Sequence, residues 1–332
     1  MIKKNVFIYT FSIILGFGIL IFIPINIISI DLSSYGKIEQ TISHIYAPSS
    51  PTSIQDLNLD IDVGDIKVRY IFPPINYVAK IAMSLEMVGI NLTGKSFSDI
   101  FILTWQNTST SLNLTLFLND NNWFDKSLVL SKNLEIVVSL NADYLFNINS
   151  NVNYEGDFDL KVPWNLSLNN VDVNINDGNL FFDFNYCILE GNVTGIVNHE
   201  NGYIELKANN IELKRNSYWN LKNLNGDITY NLTQGKEMGA NVSSVCETDL
   251  GKISVLYKDT SPEVGAIFYF HGTNNHEGIW EGFNDRSEID EGKWWLSRFI
   301  YDSFDFPTNS NYNISLFRNF YGQDYTFNLL NM

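Results

Sequence analysis

At 332 residues, with 45% hydrophobic and 14% aromatic content, the chain can hold one large or two medium folded domains and is too rich in core-forming residues for bulk disorder. Its 21 basic against 37 acidic residues leave a formal charge of −16. That balance repels a phosphate backbone and no basic stripe is interleaved with aromatics, so nucleic acid is excluded as a partner.

Lys3 and Lys4 precede an uncharged run from Asn5 to Ile30, dominated by Ile, Phe and Leu. Roughly 20 apolar residues suffice to span a bilayer. A secretory signal is the competing reading, but Pro24, Ile25, Asn26 and Ile27 offer no small-x-small cleavage site. Residues 1–4 are therefore expected to be a cytoplasmic end and residues 5–30 a transmembrane signal-anchor. With lysines on one side and Asp31 on the other, the chain is expected to be a single-pass protein of the cell membrane whose C-terminal part is extracellular.

Residues 31–55 read as a linker or stalk. Ser33-Ser34 and Ala47-Pro48-Ser49-Ser50-Pro51 punctuate them, and only Gln40 to Tyr46 suggests a short ordered piece. Residues 56–261 form the β-rich repeat domain. Its first half alternates strictly, as in Leu57, Leu59 and Ile61; Ile81, Met83, Leu85 and Met87; Leu112, Leu114, Leu116 and Leu118; and Leu134, Ile136 and Val138. That pattern predicts strands, arranged as an antiparallel layer that leads into the second half.

In the second half one phrase recurs: a glycine, then a strand with apolar residues at the second, fourth and sixth positions. The copies are Gly178 with Leu180, Phe182 and Phe184; Gly202 with Ile204, Leu206 and Ala208; Gly226 with Ile228, Tyr230 and Leu232; and Gly251 with Ile253, Val255 and Tyr257. Their spacing of roughly 24 residues lies in the range of solenoids. A weaker copy at Gly191 carries Val193 and Val197 but Gly195 in the middle slot. Gly64 with Ile66, Val68 and Tyr70, and Gly156 with Phe158, Leu160 and Val162, are outlying copies. Glycine supplies positive φ for a tight turn, and one turn-plus-strand unit buries its apolar face only when stacked on others. The same turns would also serve ordinary hairpins in a sandwich.

The phrases Asp-Gly-Asn-Leu, Asn-Gly-Tyr-Ile, Asn-Gly-Asp-Ile and Val-Gly-Asp-Ile resemble the repeated units of the putative-adhesin family of bacterial and archaeal surface proteins. The resemblance covers about residues 56–260 and is best in 155–257. It implies an all-β, right-handed parallel β-helix or β-roll-like stack, with additional antiparallel strands, and an adhesive role. It brings no catalytic residues. Lys252 after Gly251, and the stretch between Tyr70 and Asn151, depart from the pattern.

Residues 262–332 are denser in aromatics and read as a C-terminal cap, with Ile314, Leu316, Tyr325, Phe327 and Leu329 in closing strands. The sharper alternative makes Trp280, Trp294 and Trp295 a ligand surface.

Asn91, Asn107, Asn113, Asn165, Asn192, Asn231, Asn241 and Asn313 head Asn-x-Ser/Thr triplets, candidate glycan acceptors in an exported protein. Cys187 and Cys246 are a candidate disulfide, while the aromatic run around Cys187 equally suits a buried thiol. The acids and asparagines from Asp172 to Asp183 place Asp177 where a calcium loop needs its glycine, and they alternate as a strand. Asn119 to Asp125 is a looser acidic turn. His271, His276, Glu277 and Glu281 lack the second histidine at the spacing of a zinc helix. The residues after the repeat glycines, Asn179, Asn192, Tyr203, Asp227 and Lys252, form no acidic row.

No cofactor, no metal and no catalysis are expected. The expected function is a structural, adhesive or envelope-associated role, with surface glycans or other envelope proteins as partners. One alternative is a saccharide- or cation-binding module. The other is a polysaccharide-active enzyme relying on Glu277 or Glu281.

Overall fold

The computed structural model describes residues 35–90, 92–119, 129–198, 202–234, 238–240 and 242–248, and four further strands at 253–259, 268–274, 314–320 and 325–331. The first elements are β1 (Tyr35–Tyr46), β2 (Ile54–Val63), β3 (Asp65–Ile71), β4 (Ala79–Ile90) and the single-turn helix α1 (Phe97–Ile100). Then come β5 (Phe101–Asn107), β6 (Ser111–Leu118), β7 (Val129–Asn141), β8 (Leu145–Glu155), β9 (Phe158–Val162) and β10 (Ser167–Leu168). The middle strands are β11 (Val171–Asp177), β12 (Asn179–Asn185), β13 (Ile188–Leu189), β14 (Val193–Val197), β15 (Tyr203–Asn209) and β16 (Glu212–Leu213). Last are β17 (Ser217–Asn223), β18 (Ile228–Gln234), β19 (Val242–Thr248), β20 (Ile253–Asp259), β21 (Phe268–Asn274), β22 (Ile314–Phe320) and β23 (Tyr325–Asn331).

These strands form two long, mostly parallel sheets, neither closed into a barrel. The first runs β1-β4-β7-β3-β9-β12-β15-β18-β20-β23 and the second β22-β21-β19-β17-β14-β11-β8-β2-β6-β5. A short third sheet joins β10, β13 and β16. From β8 to β16 the chain visits the second sheet, the first and the third in turn. Each such circuit is one coil, and it lands in register on the coil before. Val171, Val193, Trp219 and Ser244 are successive partners in the second sheet, and Leu180, Ile204, Ile228 and Ile253 in the first.

The strict alternation puts one face of every strand inside. Leu180, Phe182 and Phe184, their counterparts Ile204, Leu206 and Ala208, and Ile228, Tyr230 and Leu232 are all buried. The rings of Phe158, Phe182, Phe184, Trp219 and Tyr230 run through this core with successive centroids 5.8–6.3 Å apart. The weak copy at Gly191 belongs to the opposite sheet, where a Cβ on Gly195 would lie 2.8 Å from the Phe182 ring. Its middle slot is empty because Phe182 fills it.

The glycines explain themselves once stacked. A Cβ on Gly156 would overlap the Gly64 carbonyl, one on Gly178 the Gly156 carbonyl, and one on Gly226 the Gly202 carbonyl; on Gly202 it would lie 2.6 Å from the Gly178 carbonyl. Gly64 (φ +130°) and Gly178 (φ +141°) also adopt the positive φ expected of a turn glycine. The other three are needed for close approach between coils rather than for their own dihedrals.

Residues 57–162 are not an antiparallel layer. β2, β3, β6, β7, β8 and β9 are parallel members of the stack, and antiparallel pairing is confined to β1–β4, β4–β7 and β5–β6. The β2–β3 coil is flanked by β6 and β7 on one side and by β8 and β9 on the other. The chain thus leaves β3, builds the end of the stack and then returns, so Gly64 and Gly156 are adjacent despite the long stretch between them.

Tyr35–Tyr46, assigned to the linker from sequence, is a strand paired along its whole length with β4. Gln40 and His44 share the phase of Ile38, Ile42 and Tyr46 and hide the alternation. They serve the end of the stack: Gln40 Oε1 accepts the Phe97 N–H (3.3 Å) and His44 stacks on Trp105 (4.2 Å, 11°). Buried Phe97, Ile100 and Phe101 complete this end. Residues 5–30 lie outside the described residues, among which no helix is long and apolar enough to cross a membrane.

Substituting Gly226→Ala should force adjacent coils apart and destabilise the fold by about 1–3 kcal/mol, the usual range for overpacking. A lower denaturant midpoint in an equilibrium unfolding curve checks this.

Candidate binding surface

Three features of the stack carry polar chemistry: the corner where the chain passes from the second sheet to the first, the outer face of the second sheet, and the outer face of the first.

At the corner the glycine file is accompanied by a file of side-chain acceptors. Asp65 Oδ1 accepts the Asp157 N–H (3.0 Å), and Asp157 Oδ1 accepts both the Asn179 N–H (2.8 Å) and its Nδ2 (2.9 Å). Backbone bonds run through the same turns, from Gly64 N–H to Glu155 O (3.0 Å) and from Gly156 N–H to Asp177 O (2.9 Å). Asp65, Asp157 and Asn179 thus form the row that the copies from Gly178 onward did not reveal, because its first two members follow the outlying glycines Gly64 and Gly156. A cleft of ≈ 370 Å³ opens beside them, lined by Glu155, Asp177 and Lys132 and, on its apolar side, by Leu85, Met87 and Phe101. Lys132 pairs with Glu155. As acceptors of coil-to-coil N–H groups, Asp65 and Asp157 act as clamps between turns of the chain. Among the described residues no three His, Cys, Asp or Glu side chains are grouped so as to hold a metal ion.

On the second sheet's outer face, parallel register stacks amide on amide. Asn149 Nδ2 donates to Asn58 Oδ1 (2.8 Å), and Asn58 Nδ2 to Asn113 Oδ1 (2.6 Å), chaining three adjacent strands. Parallel rows link Asn169 to Asn147 (2.8 Å) and Asn147 to Asp56 (2.7 Å), while Asn198 donates to Asn174 (2.7 Å). The first sheet's face carries ion pairs instead: Lys67 with Glu135, and Arg69 with Asp159. Hydrogen bonding to the Glu135 carboxylate raises the Lys67 ammonium above its ordinary value. Inside, burial pushes the Tyr70 and Tyr230 phenols up, and the Tyr230 hydroxyl lies 2.8 Å from Ser244 Oγ.

The expected glycan acceptors that can be placed are on the surface. Asn107, Asn165 and Asn192 are exposed, and Asn113 and Asn231 are half-buried on outward phases. Asn107 Nδ2 lies 2.9 Å from His44 Nε2, and Asn192 Oδ1 accepts the Tyr218 N–H (2.9 Å). Asn91, Asn241 and Asn313 lie outside the described residues, as do Trp280, Trp294 and Trp295, His276, Glu277, Glu281 and the turn after Asn119. His271 lies in β21. Asp172 to Asp177 lie in β11, as a strand.

The candidate disulfide is corrected. Cys187 and Cys246 are both buried, and no disulfide joins them. Cys187 follows β12, whereas Cys246 lies in β19, three coils on. At about 4.8 Å per coil, that separation is roughly 14 Å along the stack, beyond the reach of a disulfide. Burial, with the Glu247 charge second, pushes the Cys246 thiol up and keeps it protonated.

No protein-family model matches the chain, and no curated protein matches it. Solved structures that overlap it include a putative cell adhesion protein from Clostridium sporogenes, at 12% identity, covering 66% of this chain and 100% of the other, with a TM-score of 0.28. A putative adhesin from Bacteroides fragilis shares 13% identity over 71% of this chain and 95% of the other, with a TM-score of 0.28. One from Parabacteroides merdae shares 10% over 87% and 95%, with a TM-score of 0.32. Overlaps at these scores carry no argument about fold or function.

Two outcomes test the geometry. Asp157→Ala should cost about 1–3 kcal/mol by leaving Asn179 donors without their acceptor, whereas Asp157→Asn, which keeps Oδ1, should cost clearly less in the same denaturation assay. Thiol titration of the chain unfolded without reductant should find two thiols, and fewer in the native state.

Proposed function

We propose that the chain is a single-pass membrane protein anchored by residues 5–30, with an extracellular, right-handed parallel β-helix or β-roll stack. Its role on this reading is structural, adhesive or envelope-associated, with no chemistry of its own. The observation that carries the reading is the register. It repeats like side chains on successive coils and so makes long, regular outer faces, such as the row Asn113, Asn58 and Asn149. The corner carboxylates support it, because Asp65 and Asp157 each give Oδ1 to an N–H of the next coil. Handedness follows the strong preference of parallel crossovers. Extracellular placement rests on Lys3 and Lys4 ahead of the apolar run, and the adhesive role on the resemblance of the repeated glycine phrase. Surface glycans and other envelope proteins are the expected partners, and the acceptor asparagines would carry glycans of their own.

C-terminal reporter fusions test the placement. An alkaline phosphatase fusion should be active and a fluorescent-protein fusion dark in intact cells, and the reverse pattern would overturn it.

A further inference from the structure

β1 ends the first sheet, and among the described residues no strand borders its other side. Its pairing with β4 runs over all 12 residues, from Tyr35 with Ile90 to Tyr46 with Ala79, without a shift in register. The open edge is therefore long and regular. Sheets usually blunt such an edge by shortening it, by a proline or a bulge, by charge or by a cover. β1 has neither proline nor bulge, and its one lysine, Lys37, is already paired with Glu39 (2.8 Å) and Glu86 (3.0 Å). The edge strand of the second sheet at this end, β5, is only 7 residues long.

The hydrogen bonds at the end of β1 fix which of its backbone groups are free. The Tyr46 carbonyl accepts the Val78 N–H (2.9 Å) and so faces β4. The Val78 carbonyl accepts the Asn141 N–H (2.9 Å) from β7, which turns the next N–H, that of Ala79, toward its partner Tyr46. Backbone groups of an antiparallel strand alternate between its two sides, so those of Lys37, Glu39, Thr41, Ser43 and Ile45 point away from β4. All five residues are exposed, Ile45 by 55%. They offer a row of donors and acceptors to one further strand.

Charge and symmetry select a second copy of this chain as the source of that strand. β1 and the segment 92–107 that closes the same end carry Lys37 and Lys95 against Glu39 and Asp99, so this end is neutral in a chain of formal charge −16. The acid elsewhere repels another copy, and here that repulsion is least. An antiparallel pair about a two-fold axis also uses the same edge on both sides. Centring the axis on Thr41 sets Thr41 against Thr41, Glu39 against Ser43 and Lys37 against Ile45. In that register the free backbone groups of all five residues find partners, and no like charges face one another. The Lys37 stem of each copy lies over Ile45 of the other. We infer that two copies of the chain pair β1 to β1, antiparallel about Thr41, so that the first sheet continues from one molecule into the next. The pairing draws on the stack alone and not on the proposed anchor.

The test uses the full chain in detergent. Sedimentation equilibrium over a dilution series should show a monomer–dimer equilibrium. Thr41→Lys, which sets two ammonium groups against each other at the axis, should weaken the dimer at least about tenfold and leave the circular dichroism of the fold unchanged, because Thr41 is exposed. Cross-linking reads the register. Cα atoms of a hydrogen-bonded antiparallel pair lie about 5.5 Å apart, within reach of a disulfide, so Thr41→Cys should give a covalent dimer under mild oxidation. Ser84→Cys, one strand in from Thr41 and equally exposed, should not, since three strand spacings or about 14 Å would separate the two sulfur-bearing positions. The buried Cys187 and Cys246 leave the unsubstituted chain as the blank. A chain that stays monomeric at its highest soluble concentration overturns the proposal. So does a dimer that survives Thr41→Lys unchanged, as one held by residues 5–30 would, or cross-linking as efficient through Ser84→Cys as through Thr41→Cys.

Discussion

The structure depends on parallel register. At the corners of Gly64 and Gly156 an N–H from one coil meets an acceptor on the next, and the glycine file lets those backbones approach closely enough to do so. A parallel ladder has no tight hairpin to set its alignment, so the alignment must come from contacts repeated coil after coil. Gly64, Gly156, Gly178, Gly202 and Gly226, with the acceptors Asp65 and Asp157, are those contacts. A one-residue slip would place a side chain against a carbonyl and turn Phe182 and its neighbours outward.

Register also dictates what the surface looks like. Each phase of the coil becomes a file running along the stack, and the character of a file is the sum of residues far apart in sequence. Asn58, Asn113 and Asn149 become a hydrogen-bonded row. The same rule operates in the core, where Gly195 leaves the volume that Phe182 takes up from the opposite sheet. Chemistry on such a scaffold is periodic by construction.

The end of the stack breaks the rule for a physical reason. Exposed strand edges and an open core are liabilities, and they are met here by antiparallel strands and a one-turn helix. β4 and β1 extend the first sheet, β5 extends the second, and Phe97 and Ile100 plug the space between them. The chain builds this end between β3 and β8, which is why the glycine phrase falls silent after Tyr70 and resumes at Gly156.

The sequence by itself determined the strands and which of their faces is inward, because alternation is local and every apolar slot of the glycine phrase that can be placed is buried or, at Tyr70, packed against the core. It also pointed to stacking, through the even spacing of Gly178, Gly202 and Gly226. It left β1 hidden, since Gln40 and His44 occupy inward phases for the sake of contacts with Phe97 and Trp105. The tertiary structure alone decided which residues become neighbours along the stack. Gly64 beside Gly156 and Asp65 beside Asp157 both depend on the detour between β3 and β8, and Cys187 and Cys246 are kept apart by three intervening steps of the coil. Neighbourhood of that kind is set by register across long loops, and no local period in the sequence encodes it.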